Sequence, residues 1–161
     1  MSRGTKGFTI IEIMIYVAFV TVAMVIMAKF VADVTINAAR SRVVKEVEQN
    51  AQITLERMAR EVRNSRSLIS VAANELVLRA SDGSQITLRY NAGASTLERQ
   101  DNLGITNLTS SEVRVTSSVF TAISSGVSMA FTVAQASTTV PGAYQHVANV
   151  GTTVFPRQLI Y

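Results

Sequence analysis

The spacing of apolar positions divides the chain into three stretches. From Phe8 to Ala28 nearly every position is apolar, and Glu12 is the one Asp, Glu, Lys, Arg or His among 21 residues. A helix of that length rises about 31 Å, enough to cross the hydrocarbon core of a bilayer. Lys29 and Asp33 then interrupt the run, but neither Gly nor Pro follows before Ser67, so the helix is expected to continue to about Ser67. In this second stretch Val44, Val47, Ala51, Leu55, Met58 and Val62 recur at steps of three and four, the period of one helix face. Arg42, Lys45, Glu46, Glu56, Arg57, Arg60, Glu61 and Arg63 fill the other faces. The stripe predicts burial against a sheet, whereas the first stretch has no stripe and needs lipid or sister helices around it. Glu56 with Arg60 and Arg57 with Glu61 stand four apart, as pairs on a solvated helix face do.

After Ser67 the period changes to two and the composition to Ser, Thr, Val, Gly and Asn. Leu76–Arg79 and Gln85–Tyr90 read as strands joined by a turn at Ser81-Asp82-Gly83-Ser84, and Asn91-Ala92-Gly93 turns the chain into a third strand at Thr96–Gln100. A connection from Asn102 to Ser111 leads to further strands at Glu112–Thr116, Val119–Ile123 and Val127–Ala134. Ala136–Tyr144, with Pro141-Gly142, reads as a loop, and Thr152–Phe155 as a last short strand ended by Pro156. The expected fold class is α+β: a long N-terminal helix, membrane-spanning in its first half, packed by its C-terminal half on an antiparallel β-sheet.

Charge and composition narrow the picture. The formal charge is +4, but Arg3 and Lys6 precede the apolar run, and without residues 1–7 the chain holds 13 Lys and Arg against 11 Asp and Glu. The basic excess therefore says little about nucleic acid, and its position favours a helix whose N-terminus stays in the cytoplasm. No cysteine occurs, which removes disulfides and thiolate metal sites from consideration.

The anomaly is Glu12, because a carboxylate within a membrane segment costs about 2.5–3.5 kcal/mol and is usually kept with a partner. A cut between Gly7 and Phe8 would create an ammonium four residues from Glu12. The two could neutralise each other within one chain, or the amine of one copy could meet Glu12 of its neighbour and set the stagger between packed helices. The second arrangement builds a polymer.

The stretch Lys6-Gly7-Phe8-Thr9-Ile10-Ile11-Glu12 resembles the processing site of the type IV pilin and type II secretion pseudopilin superfamily over about the first 30 residues. It has the short basic leader, Gly7 before the cut, Phe8 as first mature residue and Glu12 fifth after the cut. The resemblance implies cleavage after Gly7 by a membrane-embedded prepilin peptidase, N-methylation of Phe8 by the same enzyme, and assembly through Phe8 and Glu12. It also implies a pilin fold, with a leader at 1–7, a membrane and assembly segment at 8–33 and an extracytoplasmic domain at 34–161. The implied partners are the peptidase, other pilin or pseudopilin subunits, an inner-membrane assembly platform and the bilayer. Lys29 stands where many major pilins have proline. Leu55–Arg63 is similar to the corresponding helix of J-type minor pseudopilins and related minor pilins. An ordinary signal anchor is the bland alternative. A cleaved secretory signal peptide is disfavoured, since Phe30-Val31-Ala32 puts a bulky ring where a small residue is wanted.

The remaining candidates for chemistry are sparse. His146 is the one histidine, and Glu75, Asp82, Glu98, Asp101 and Glu112 are scattered singly, so no catalytic triad can be assembled. Asp82-Gly83 reads as a hairpin turn rather than the start of a calcium loop. Arg57, Arg60, Arg63 and Arg66 invite a nucleic-acid reading, yet their spacing of three beside acids is that of a solvated stripe. The expected function is that of a structural minor pilin or pseudopilin, not an enzyme, with no metal and no cofactor. The alternative is a membrane-anchored binding module contacting exported protein, a surface or DNA.

Overall fold

The computed structural model describes residues 7–136 and 146–157. The leader residues Arg3 and Lys6, and the loop expected around Pro141-Gly142, lie outside them. The chain divides into two compact units, Met1–Ser41 and Arg42–Tyr161.

One helix, α1, runs from Ile10 to Asn64. In the first unit its apolar side chains are exposed in every direction, Ile10, Tyr16, Phe19, Met27 and Phe30 among them. The segment is long and apolar enough to span a membrane. Its hydroxyls find partners within the helix itself: Thr21 Oγ1 donates to Val17 O at 2.7 Å and Thr35 Oγ1 to Val31 O at 2.8 Å. Such bonds remove the cost of leaving a donor bare in lipid. In the second unit the same helix buries Val47, Ala51, Thr54, Met58, Ala59 and Val62. That face is the expected stripe shifted slightly, since Val44 and Leu55 are half-buried and Thr54 and Ala59 take full burial. Thr54 is admissible there because its hydroxyl donates to Leu108 O at 3.3 Å.

The helix ends at Asn64, three residues before the expected boundary. Ser65 turns its hydroxyl and its N–H onto Val62 O, at 2.7 and 3.2 Å, and Arg66 N–H already donates to Arg79 O. The strand ladder thus takes over the backbone that helical propensity alone would have continued.

Two antiparallel sheets follow, not one. The first has five strands in sequence order: β1 (Ser67–Ala72), β2 (Glu75–Arg79), β3 (Gln85–Asn91), β4 (Thr96–Asp101) and β5 (Gly104–Asn107). The second has three, likewise in order: β6 (Val113–Ile123), β7 (Gly126–Gln135) and β8 (Val147–Val154). Isolated backbone bonds link them, Val115 N–H to Ser95 O at 2.7 Å and Phe120 N–H to Ala73 O at 2.9 Å. Both sheets and α1 share one core, in which Met58, Leu76, Leu78, Leu88, Leu97, Met129 and Val133 are fully enclosed.

The strands that differ from the expectation do so for local reasons. β1 has a bulge between Leu68 and Ser70, so that Leu68 and Val71, three apart, both lean inward and the period of two is hidden. β6 is one strand where two were expected, because a shift between Val115 and Ser117 changes the inward set from Val113 and Val115 to Ser118 and Phe120. β5 replaces part of the expected connection; it is short and exposed throughout, with no apolar alternation to reveal it. β8 is longer than Thr152–Phe155, and Gly151 in it lies against Met129 O, where a Cβ would stand 3.2 Å away.

Candidate functional site

The residues singled out at the N-terminus fall on the first turn of α1. Thr9 caps the helix: Glu12 N–H donates to Thr9 O at 3.1 Å, with Thr9 Oγ1 at 3.4 Å, and Ile13 N–H donates to Thr9 O at 3.2 Å. Thr9-Ile10-Ile11-Glu12 is the spacing of a capping box, which places the Glu12 carboxylate at the positive end of the helix dipole. Phe8 stands just outside the helix and is 72% exposed.

Gly7 stands in open space. A Cβ built there meets nothing within 4 Å among the described residues, so nothing among them crowds a side chain at position 7.

In the second unit the acids that read as scattered are gathered by the strands. Glu98 lies on the outer face of the first sheet, across from Arg89, with 7% of its side chain exposed. Its Oε2 accepts from Arg89 Nε and Nη2, both at 2.8 Å, and its Oε1 accepts from Asn91 Nδ2 at 2.7 Å. The Asn91 bond first, then the Arg89 guanidinium, hold its pKa below the ordinary glutamate value against the opposing effect of burial. Asn91 also accepts from Gly93 N–H and Ala94 N–H at 3.1 Å through Oδ1, building the turn expected there. The left-handed residue of that turn is Ser95, at φ 54°, not Gly93.

Arg99 stands opposite Leu88, on the inner face, and reaches α1. Its Nε donates to Glu61 Oε1 at 2.9 Å, and its Nη1 pairs with Asp101. Glu61 is therefore committed to the sheet rather than to Arg57, which corrects one of the two pairs expected along the helix; Glu56–Arg60 is also absent from the ion pairs of the described residues. The Leu103 N–H, first, and Arg99 hold the Asp101 carboxyl below its usual range. A groove of about 490 Å³ opens beside this trio, lined in part by Glu61, Asn64, Asp82, Ser84, Asp101 and Leu103. Asp82 is the hairpin residue expected, accepting from Ser84 N–H at 2.9 Å and Ser84 Oγ at 2.6 Å.

The Glu98–Arg89, Arg99–Glu61 and Arg99–Asp101 pairs tie a sheet to itself and to a helix. Among the described residues no group of three or more His, Cys, Asp or Glu is placed to hold a metal ion. His146 Nε2 lies 3.4 Å from Glu48 Oε1, as a local partner of α1. Arg57, Arg60, Arg63 and Arg66 are exposed and outside the ion pairs of the described residues. The Glu98–Arg89 pair escaped the sequence reading although its signal was present: opposite charges nine apart that straddle a turn at Asn91–Thr96 become direct cross-strand neighbours. No family model, curated protein or solved structure matches the chain.

Proposed function

We propose that the chain is a structural subunit, a minor pilin or pseudopilin, with a pilin fold and no enzymatic role. In this reading a prepilin peptidase cuts it after Gly7 and methylates the new Phe8 amine. The protein then sits in the cytoplasmic membrane with its β-rich unit outside the cytoplasm until an inner-membrane platform adds it to a filament or pseudopilus with other such subunits. The observation that carries the proposal is a helix apolar on every side, whose one early carboxylate lies five residues after a glycine standing in open space. A lone anchor needs neither feature, whereas proteolysis at position 7 and pairing of a Phe8 amine with Glu12 of a neighbour need both.

The capping-box spacing and the Thr9 cap favour a second reading, in which Glu12 only starts the helix of a membrane-anchored binding module. Two substitutions separate the readings. Glu12→Gln keeps a capping side chain at that position but removes the charge, and Glu12→Leu removes both. If the charge pairs with the amine of an adjacent copy, removing one partner leaves a buried cation, at a cost of about 3–5 kcal/mol. Both variants are then expected to be processed and membrane-inserted yet lost from sheared filaments and from complexes with other subunits. Wild-type incorporation of Glu12→Gln would leave only the capping role.

A further inference from the structure

Between Glu12 and Arg40 the helix carries two charges, Lys29 and Asp33, both exposed on α1 within the first compact unit. They stand four residues apart, cation before anion. Within one helix that order is the weaker of the two for an i,i+4 pair. The ion pairs of the described residues are Arg89–Glu98, Arg99–Glu61, Arg99–Asp101 and His146–Glu48, so Lys29 and Asp33 are not joined to each other or to another residue. Two unjoined charges at the end of an apolar run are costly once sister helices replace water around them.

The spacing repeats that of the proposed assembly site. A Phe8 amine and Glu12 are also a cation and an anion four residues apart, and each member lies 21 residues before its counterpart, Lys29 or Asp33. Two parallel helices in which the amine of one copy meets Glu12 of the next are displaced by four residues, about 6 Å along the axis. The same displacement brings Lys29 of the first copy level with Asp33 of the second. Twenty-one residues at about 100° each return to within roughly 60° of the starting direction, so both doublets face the same neighbour. We infer that Lys29 and Asp33 form a second interhelical clamp, in which Lys29 of one copy pairs with Asp33 of an adjacent copy in the register set by Phe8 and Glu12. The occupant of this helix face is a second copy of this chain. The inference rests on the filament-subunit reading and adds to it a register lock at the far end of the packed segment.

Charge reversal in the full chain, expressed with its assembly machinery, tests it. Lys29→Asp alone sets two anions against each other, and Asp33→Lys alone two cations; each is expected to lower the amount of chain in sheared filaments and self-association by about five-fold or more. The double variant, Lys29→Asp with Asp33→Lys, recreates the pair with its sign inverted and is expected to return incorporation to near the wild-type amount. Because the chain has no cysteine, co-expression of Lys29→Cys and Asp33→Cys chains with different tags gives an independent readout. A mixed disulfide is expected, at a yield above that of either variant with itself. Single reversals that assemble normally, or a double variant no better than the singles, would overturn the clamp. If Glu12→Gln fails to assemble in the same experiment while the reversals do not matter, the clamp alone is refuted. If Glu12→Gln also assembles normally, the Phe8–Glu12 register fails with it, and a wild-type chain absent from filaments and from complexes with other subunits would refute the filament-subunit reading itself.

Discussion

Truncating Met58 tests whether the C-terminal half of α1 is held by the sheets through the face described. Met58 is 0% exposed in the shared core, whereas Ile53, five residues earlier on the same helix, is 40% exposed. Met58→Ala removes a fully enclosed side chain and leaves a cavity, at a cost of about 2–5 kcal/mol. Ile53→Ala gives up a small part of its burial and recovers some helix propensity, so it should cost under about 1 kcal/mol. The comparison uses a chain lacking residues 1–34, which retains every buried residue of the helix and is expected to be a folded, soluble monomer. For a domain of this size 1 kcal/mol moves Tm by roughly 3–5 °C. Met58→Ala should therefore melt about 6–25 °C below the parent in a circular dichroism scan, and Ile53→Ala within about 5 °C of it. Equal shifts for the two, or a larger one for Ile53→Ala, would mean that another helix face meets the sheets. An unfolded parent fragment would refute the independence of the second unit.

Three further outcomes follow from particular contacts. Gly126→Ala places a Cβ 2.5 Å from Val154 O and 2.7 Å from the Phe155 ring, so it should destabilise the second sheet by about 1–3 kcal/mol, read as an earlier urea midpoint, while Gly83→Asn in the exposed hairpin should be close to neutral. Because Asn91 and Arg89 lower the pKa of Glu98 in the folded state, its contribution is fully present above the ordinary value of 4.5 and is lost as pH falls through the lowered folded value; Glu98→Gln should flatten that part of the stability–pH profile, and an unchanged acid limb would refute the linkage. Gly7→Leu should fold and insert as the wild type does, since nothing lies within 4 Å of its Cβ position, yet keep its leader by mass spectrometry; an N-terminus at Phe8 in that variant would remove the peptidase argument.

What could be read from the sequence was what depends on long, regular burial. The helix and its stripe are a 3.6-residue signal repeated over many turns, and Val47, Ala51, Met58 and Val62 lie on the buried face as their spacing requires. β2, β3 and β4 were legible because Leu76, Leu78, Ile86, Leu88 and Leu97 keep an unbroken alternation between recognisable turns. The strands misread are those where the ladder itself changes parity, at Leu68/Ser70 in β1 and Val115/Ser117 in β6, and β5, which buries nothing. A bulge is a relation between two strands, so no window along one of them contains it. The same distinction governs the charges. Glu61 has Arg57 a turn before it on its own helix, but Arg99 is brought to it by the fold with a planar donor fork and only partial exposure to water, and the nonlocal partner prevails. At the N-terminus the order of inference reverses, because Gly7, Phe8 and Glu12 touch little in the isolated chain. In the proposed function their meaning depends on a cut and a neighbouring copy, and the single folded molecule shows only what that reading starts from: a Cβ position at Gly7 with nothing within 4 Å, an apolar helix surface without cover, and opposite charges four residues apart at Lys29 and Asp33.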